Sequence, residues 1–203
     1  MRRTLAIIAA CIALLGPATP AATAAEADPM EIAGQVNYYW AKTFDENGKM
    51  YWGPTIIGVF GDRLTGCGFI DPFNFGPAAY CPADAKIYLS GLLFGVEDDA
   101  LWYVALAHEW GHHIETLLGY PPEPSKESEQ RTDCMAGAFL GDAVAEGYAS
   151  RGTFNGMLYV MLLIGDPPGL PAELESHGTA SERAAAFNTG YSDGIAGCNV
   201  GLS

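Results

Sequence analysis

The sequence is poor in positive charge, with 10 Lys and Arg against 24 Asp and Glu in 203 residues. No cluster of basic residues follows Arg3, and proteins bind the phosphate backbone of nucleic acids through such clusters. The same shortage disfavours contact with an anionic membrane surface. We therefore predict no nucleic-acid partner, and we attribute the acidity to surface charge that keeps copies of the protein apart.

Long apolar runs are also lacking. The run at 5–15 is well short of the roughly 20 residues that a membrane-spanning helix needs. It follows two arginines at 2–3 and precedes a small-residue stretch that includes Ala-Thr-Ala at 22–24. This order is typical of a secretory signal peptide. We predict a signal peptide at 1–25, a mature domain at 26–203 without a stable membrane span, and a secreted or extracytoplasmic location.

Cysteine is scarce. Cys11 follows too short an apolar region for a normal lipoprotein signal, so a lipid anchor is the weaker alternative. Four cysteines remain after the predicted cleavage, and none of them forms the C-x2-C pair of a zinc knuckle. An even number in an oxidising compartment predicts two disulfides, for which three connectivities are open. Cys67 and Cys81 bracket a Gly- and Pro-rich segment, so a local bridge between them is the simplest assignment, and Cys134 would then pair with Cys198.

Hydrophobic residues make up 49% of the chain, which is enough for a buried core. Strands are predicted at 55–60 and 86–90, where β-forming residues concentrate. The short apolar sequence MLLIG at 161–165 is predicted to be buried inside a helix. The pattern indicates a helix-rich α+β fold with a small antiparallel sheet before the central helix. Helical periodicity and capping residues predict helices at 28–45, 98–118, 125 or 128 to 149, 154–164 and 179–191.

The predicted helix at 98–118 contains the sequence His-Glu-Trp-Gly-His-His, and three of the four histidines of the chain lie within it. His108 and His112 are four residues apart, so both imidazoles face the same side of the helix and can bind one Zn²⁺. Glu109 is rotated by about 100° from His108 around the helix axis, a position that suits a general base beside the metal rather than a ligand. His113 is rotated by about 140° from His108 and is predicted to be structural.

A catalytic zinc site needs a third protein ligand and an open position. Glu129 and Asp133 lie four residues apart at the start of the next predicted helix. We predict that Glu129 is the third ligand and that Asp133 accepts a hydrogen bond from the outer N–H of a ligand histidine. His177 is the competing ligand. Without the two histidines nearby, the carboxylate pair would be read as solvated charge at a helix start.

Four segments together resemble the family of "Putative neutral zinc metallopeptidase" proteins, a zincin-like bacterial group related to the gluzincins. The resemblance covers roughly residues 30–200. At Arg131 and Thr132 the chain departs from the family pattern, and we expect neither position to carry the chemistry. The segments are HEWGHH at 108–113, EQRTDCMAG at 129–137, CGFIDPFNFGPAAYCPADAKIYLS at 67–90 and HGTASERAAAFNTGY at 177–191.

The resemblance implies a zincin-like fold and an exported, zinc-dependent metallopeptidase of the cell envelope that acts on peptides or proteins. It also covers all four mature cysteines. The roles implied for single residues are zinc ligation by His108, His112 and Glu129, general base catalysis by Glu109, and support of a ligand histidine by Asp133.

Three questions stay open at this level. A donor to the developing oxyanion is expected beside the metal, with His177 as first candidate and Tyr191 as second, although His177 could also be structural. The strand at 86–90 is a candidate edge strand for pairing with a peptide substrate. The alternative function is a non-catalytic, zinc-stabilised binding domain whose metal is closed off by a fourth ligand.

Overall fold

The computed structural model describes residues 28–73, 75–92, 94, 96, 99–122, 125–167 and 177–203. The predicted signal peptide lies outside these residues. None of the helices in the described part of the chain combines the length and apolarity that crossing a bilayer requires. The predicted α+β class is confirmed, because the described residues form five α-helices and a small sheet that precedes the central helix.

The first helix, α1 (Pro29–Glu46), begins where its sequence predicts. The Asp28 side chain accepts a hydrogen bond of 2.9 Å from the backbone N–H of Met30, and proline occupies the first helical position. Apolar residues at helical spacing form the buried face of α1, and they include Ile32, Val36, Trp40 and Phe44.

The other α-helices are α2 (Asp99–Leu118), α3 (Lys126–Ala145), α4 (Arg151–Ile164) and α5 (Ala180–Asp193), followed by a short 3₁₀-helix at Ile195–Cys198. Ser125 caps α3, and a capping box between Thr179 and Glu182 opens α5 as the sequence predicts. The prediction for MLLIG is wrong in part: Met161 is buried, but the next three side chains on α4 are 45–64% exposed. Helix α4 therefore turns only one of its faces to the core.

The three-stranded sheet contains β1 (Thr55–Val59), β4 (Ala78–Cys81) and β5 (Lys86–Ser90) in the order β1-β5-β4. It is mixed rather than fully antiparallel, because β1 pairs parallel with β5 while β4 pairs antiparallel with it. Strand β5 is therefore central, and the prediction that it forms the edge was wrong. A second ladder joins β2 (Arg63–Thr65) and β3 (Gly68–Ile70) in a hairpin.

Helix α2 is central to the core and contacts α1, α3, α4 and β4. Glycines bring the helices close together: a Cβ on Gly111 of α2 would crowd Thr132 of α3, and a Cβ on Gly190 of α5 would collide with the carbonyl of Cys134. Both predicted disulfides are present. The Cys67–Cys81 bridge ties the hairpin to β4, and the Cys134–Cys198 bridge ties α3 to the 3₁₀-helix.

Candidate functional site

Two consecutive helices bring three potential metal ligands together. His108 and His112 lie one turn apart on α2, with their ring centroids separated by 4.9 Å. Glu129 comes from the first turn of α3, which the absence of a side chain at Gly111 allows to approach. The Nε2 atom of His108 lies 3.2 Å from one carboxylate oxygen of Glu129, and the Nε2 atom of His112 lies 3.4 Å from the other. One ligand atom from each residue lies within 4.8 Å of the others.

This group of donors fits a zinc ion. Two imidazoles and one carboxylate are the ligand set of many catalytic zinc sites. The buried Oε2 atom of Glu129 lies 3.2 Å from the Nε2 atom of His108, yet it accepts no well-aligned hydrogen bond from the described residues, as expected for an atom whose partner is a cation. Among the described residues, no further histidine, cysteine, aspartate or glutamate joins the group. The described part of the chain therefore offers three potential ligands.

A buried ion pair contacts the Nδ1 atom of His108, the ring nitrogen that does not face Glu129. Its Nδ1 atom lies 2.8 Å from Asp133, whose side chain is fully buried. The guanidinium of Arg183, on α5, donates two hydrogen bonds of 2.7 and 2.8 Å to the same carboxylate. Asp133 accepts a hydrogen bond from the Nδ1–H group of His108, so the Nε2 atom that faces Glu129 is the one left to bind a cation once the cation displaces its proton.

His112 has a carboxylate behind it as well. Its Nδ1 atom lies 3.4 Å from the Oε2 atom of Glu115, on the same helix. Glu115 is only 4% exposed and accepts hydrogen bonds from the Ser128 hydroxyl and from the Nε atom of Arg131, the latter at 2.7 Å. Burial raises the pKa of Glu115, but His112, Ser128 and Arg131 together outweigh burial and hold this pKa below its ordinary value. The group is therefore an anion at neutral pH.

The electrostatics of the site favour a positive charge at its centre. Burial lowers the pKa of both histidines, but the surrounding carboxylates outweigh burial and raise the pKa of His108 to about 10 and that of His112 to about 9 in the metal-free protein. Burial raises the pKa of Glu129, yet the two histidines bring it far below its ordinary value. The negative field that retains protons here also favours a divalent cation in their place.

The three potential ligands lie in a cleft of about 650 Å³ that α2, α3, α5 and the edge strand β4 enclose. Glu109 is half-buried in this cleft, one residue from the first ligand histidine. Its Oε2 atom accepts a hydrogen bond of 2.7 Å from the backbone N–H of Tyr80 in β4. The edge strand therefore fixes the position of the carboxylate that the sequence nominates as general base.

A protein-family model described as "Putative neutral zinc metallopeptidase" matches residues 18–140, which include the cleft-lining strand and all three potential ligands. The chain belongs to this family. The match ends before α4 and α5, so it does not include His177 or Arg183.

Two curated relatives, from Escherichia coli strain K12 and from Escherichia coli O6:H1, are both described as "Uncharacterized protein YpfJ". Each is 27% identical over 195 residues, and the alignment covers 79% of this chain. The chain spans 66% of the length of these relatives, just under two thirds. No solved structure matches the chain.

The structure brings most of the site residues that the sequence nominates together at the cleft, but it places Tyr191 elsewhere. His177 lines the cleft with its side chain 52% exposed, and it is outside the group of potential ligands. Tyr191 does not line this cleft: its ring packs against Phe154 at 4.2 Å between centroids, beside a different cavity. His113 is fully buried, with its Nε2 atom 2.7 Å from the carbonyl oxygen of Trp52. Its predicted structural position agrees with these contacts.

Sequence reasoning missed three participants. Arg183 lies 50 residues after the aspartate that it clamps, and only its place directly after a capping box could have drawn attention to it. Glu115 follows His112 by three residues, a helical spacing that puts both on one face of α2 and could have revealed it. The N–H of Tyr80 is a backbone group, so no residue type signals its role.

Proposed function

We propose that this protein is a zinc-dependent peptidase that works outside the cytoplasm and hydrolyses peptide bonds in peptides or proteins. The observation that carries the proposal is the convergence of His108, His112 and Glu129 at a cleft that also contains Glu109. The two disulfides are compatible with an oxidising, extracytoplasmic compartment. Residues 26–203 would form the mature domain after removal of the signal peptide at 1–25.

The residues of the chain would divide the chemistry between them. His108, His112 and Glu129 would hold the ion, with Asp133 orienting the first of them. A bound zinc ion supplies Lewis-acid polarisation of a carbonyl oxygen and makes water more acidic. Glu109 would accept a proton from water as the water oxygen bonds to the carbonyl carbon, and would deliver that proton to the nitrogen as the C–N bond breaks.

The edge strand β4 gives the cleft a surface for an extended substrate. The N–H of Ser90 in β5 donates a hydrogen bond to the carbonyl of Pro77, just before β4. In an antiparallel pair, every second residue directs its backbone polar groups to the partner strand, so Pro77, Ala79 and Cys81 direct theirs toward β5. Ala78 and Tyr80 therefore direct their backbone groups to the other side, where the N–H of Tyr80 already reaches Glu109. Ala78 would offer its N–H and carbonyl to a peptide that lies beside β4.

Metal content and cleavage measured together test this function. The purified protein should retain one zinc ion per chain and should cleave members of a broad peptide mixture, with bond positions read by mass spectrometry. Removing zinc with a chelator should stop cleavage, and adding zinc back should restore it. A fully folded, disulfide-bonded preparation that binds no zinc, or that binds zinc and cleaves nothing, would contradict the proposal.

His177 provides a prediction that also separates catalysis from a purely structural zinc site. We expect His177→Ala to lower kcat by about 10²-fold with little change in KM, because one donor to the developing oxyanion would be lost and such a loss typically costs about 10²- to 10³-fold. Zinc content should stay unchanged, since His177 is outside the ligand group. Loss of zinc from this variant would instead identify His177 as a fourth ligand and favour a non-catalytic, zinc-stabilised binding domain.

A further inference from the structure

A partly buried ion pair joins the two helices of the site on the side of His112. Glu115 of α2 is 4% exposed, and the Nε atom of Arg131 of α3 donates to its Oε1 atom at 2.7 Å. The guanidinium carbon of Arg131 also lies 4.4 Å from the centre of the Tyr120 ring, and this cation–π contact helps to hold the arginine in place. The other carboxylate oxygen, Oε2, accepts a hydrogen bond from the Ser128 hydroxyl. Glu115 is thus fixed by two groups, Arg131 and Ser128, and neither is a proposed metal ligand.

The same oxygen of Glu115 faces the outer nitrogen of a ligand histidine. It lies 3.4 Å from the Nδ1 atom of His112, while the Nε2 atom of that ring points toward Glu129. The Ser128 hydroxyl is 3.5 Å from the same Nδ1 atom. A histidine therefore contacts a carboxylate, which in turn contacts an arginine. His108, Asp133 and Arg183 form the same sequence of contacts at the other potential ligand histidine.

We propose that Glu115, held by Arg131, is a positioning residue for metal binding that fixes the tautomer and orientation of His112. With the proton on Nδ1 directed at Glu115, the Nε2 lone pair is free for the cation. The proposal rests on the proposed function only in requiring that the site binds zinc.

The distances set the size of the expected effect. Carboxylates behind metal-bound histidines typically contribute about 10- to 100-fold to metal affinity. The contact between His112 and Glu115 is 3.4 Å, longer than the 2.8 Å between His108 and Asp133. We therefore expect an effect near the lower limit, a loss of zinc affinity of about tenfold when Glu115 loses its charge.

Zinc affinity and fold stability are measured separately. These two measurements distinguish a role of Glu115 in positioning His112 from a role of the Glu115–Arg131 pair in holding α2 and α3 together. The full-length protein, with its disulfides intact, would be stripped of metal and titrated with zinc against a chromophoric chelator. The variants are Glu115→Gln, Arg131→Met and the two combined. Glu127→Gln is the matched control, because it removes the same charge from an exposed position in the first turn of α3. Thermal unfolding of each metal-free variant would be recorded in parallel.

We expect Glu115→Gln to raise the zinc Kd by about tenfold, Arg131→Met to raise it by less, and Glu127→Gln to leave it unchanged. The combined variant should match Glu115→Gln, because Arg131 acts through Glu115. A Glu115→Gln Kd within about twofold of the wild type would overturn the proposal, as would fully additive effects in the combined variant. If the metal-free Glu115→Gln protein does not fold, Arg131→Met decides, and an unchanged Kd in that variant overturns the proposal.

The outcomes also separate this inference from the proposed function. A wild-type protein that binds zinc tightly but cleaves no peptide would contradict the peptidase and leave the positioning role of Glu115 supported by the affinities. A wild-type protein that binds no zinc would overturn both.

Discussion

Replacing Glu109 with glutamine should lower kcat/KM for peptide cleavage by about 10²- to 10⁴-fold while one zinc ion per chain stays bound. A glutamine amide cannot accept a proton from water, so the general base would be lost. Its carbonyl oxygen can still accept the hydrogen bond that the backbone N–H of Tyr80 now donates to the glutamate. The edge strand should therefore keep its position, and the loss should appear mainly in kcat.

Three measurements test this prediction: steady-state kinetics on one cleaved peptide, zinc content by mass spectrometry, and thermal unfolding. Glu127→Gln serves as the control, because it makes the same chemical change at an exposed position outside the cleft. Unchanged kinetics in Glu109→Gln, with zinc retained, would reject the proposed mechanism. Parallel loss of zinc and activity would instead show that Glu109 contributes to holding the metal.

The sequence alone was sufficient to predict the relative positions of those site residues that depend on local spacing along the chain. His108 and His112 share a face because they are four residues apart on a helix, and Glu129 follows within the next helix across a short proline-rich loop. Capping residues such as Asp28 and Thr179 predicted where α1 and α5 begin. These features are set within a few turns of chain, so periodicity and capping chemistry reveal them.

Features that depend on distant pairing could not be predicted in the same way. The sheet is mixed because β1 pairs in parallel with β5, and no residue pattern in such short strands fixes the direction of pairing. The apolar end of α4 was predicted to be buried, yet Leu163 is 64% exposed. Hydrophobicity alone does not say which face of a helix meets the core. Arg183 reaches the site from α5 because of how α3 and α5 pack, which the sequence does not encode locally.

Arg183 gives the largest expected effect on stability. Arg183→Met would leave the carboxylate of Asp133 fully buried without the two hydrogen bonds that now neutralise it. Removing one partner of a buried ion pair typically costs about 3–5 kcal/mol, and the hydrogen bond from His108 that Asp133 keeps places this case near the lower end of that range. We expect the free energy of unfolding of the metal-free protein, measured by urea denaturation with the disulfides intact, to fall by that amount. Lys42→Met is the control, since the Lys42–Asp142 pair is partly exposed and should contribute about 1 kcal/mol or less.

A double variant identifies the cause of that loss. If the unpaired charge of Asp133 is responsible, then Asp133→Asn combined with Arg183→Met should recover part of the stability that Arg183→Met alone removes, because no buried anion remains. Zinc affinity should not recover with it, because an asparagine behind His108 is a weaker acceptor for the Nδ1 proton than an aspartate. Stability and metal binding would then separate in a single protein. A double variant no more stable than Arg183→Met would show that the packing of the arginine side chain, and not its charge, supports the fold.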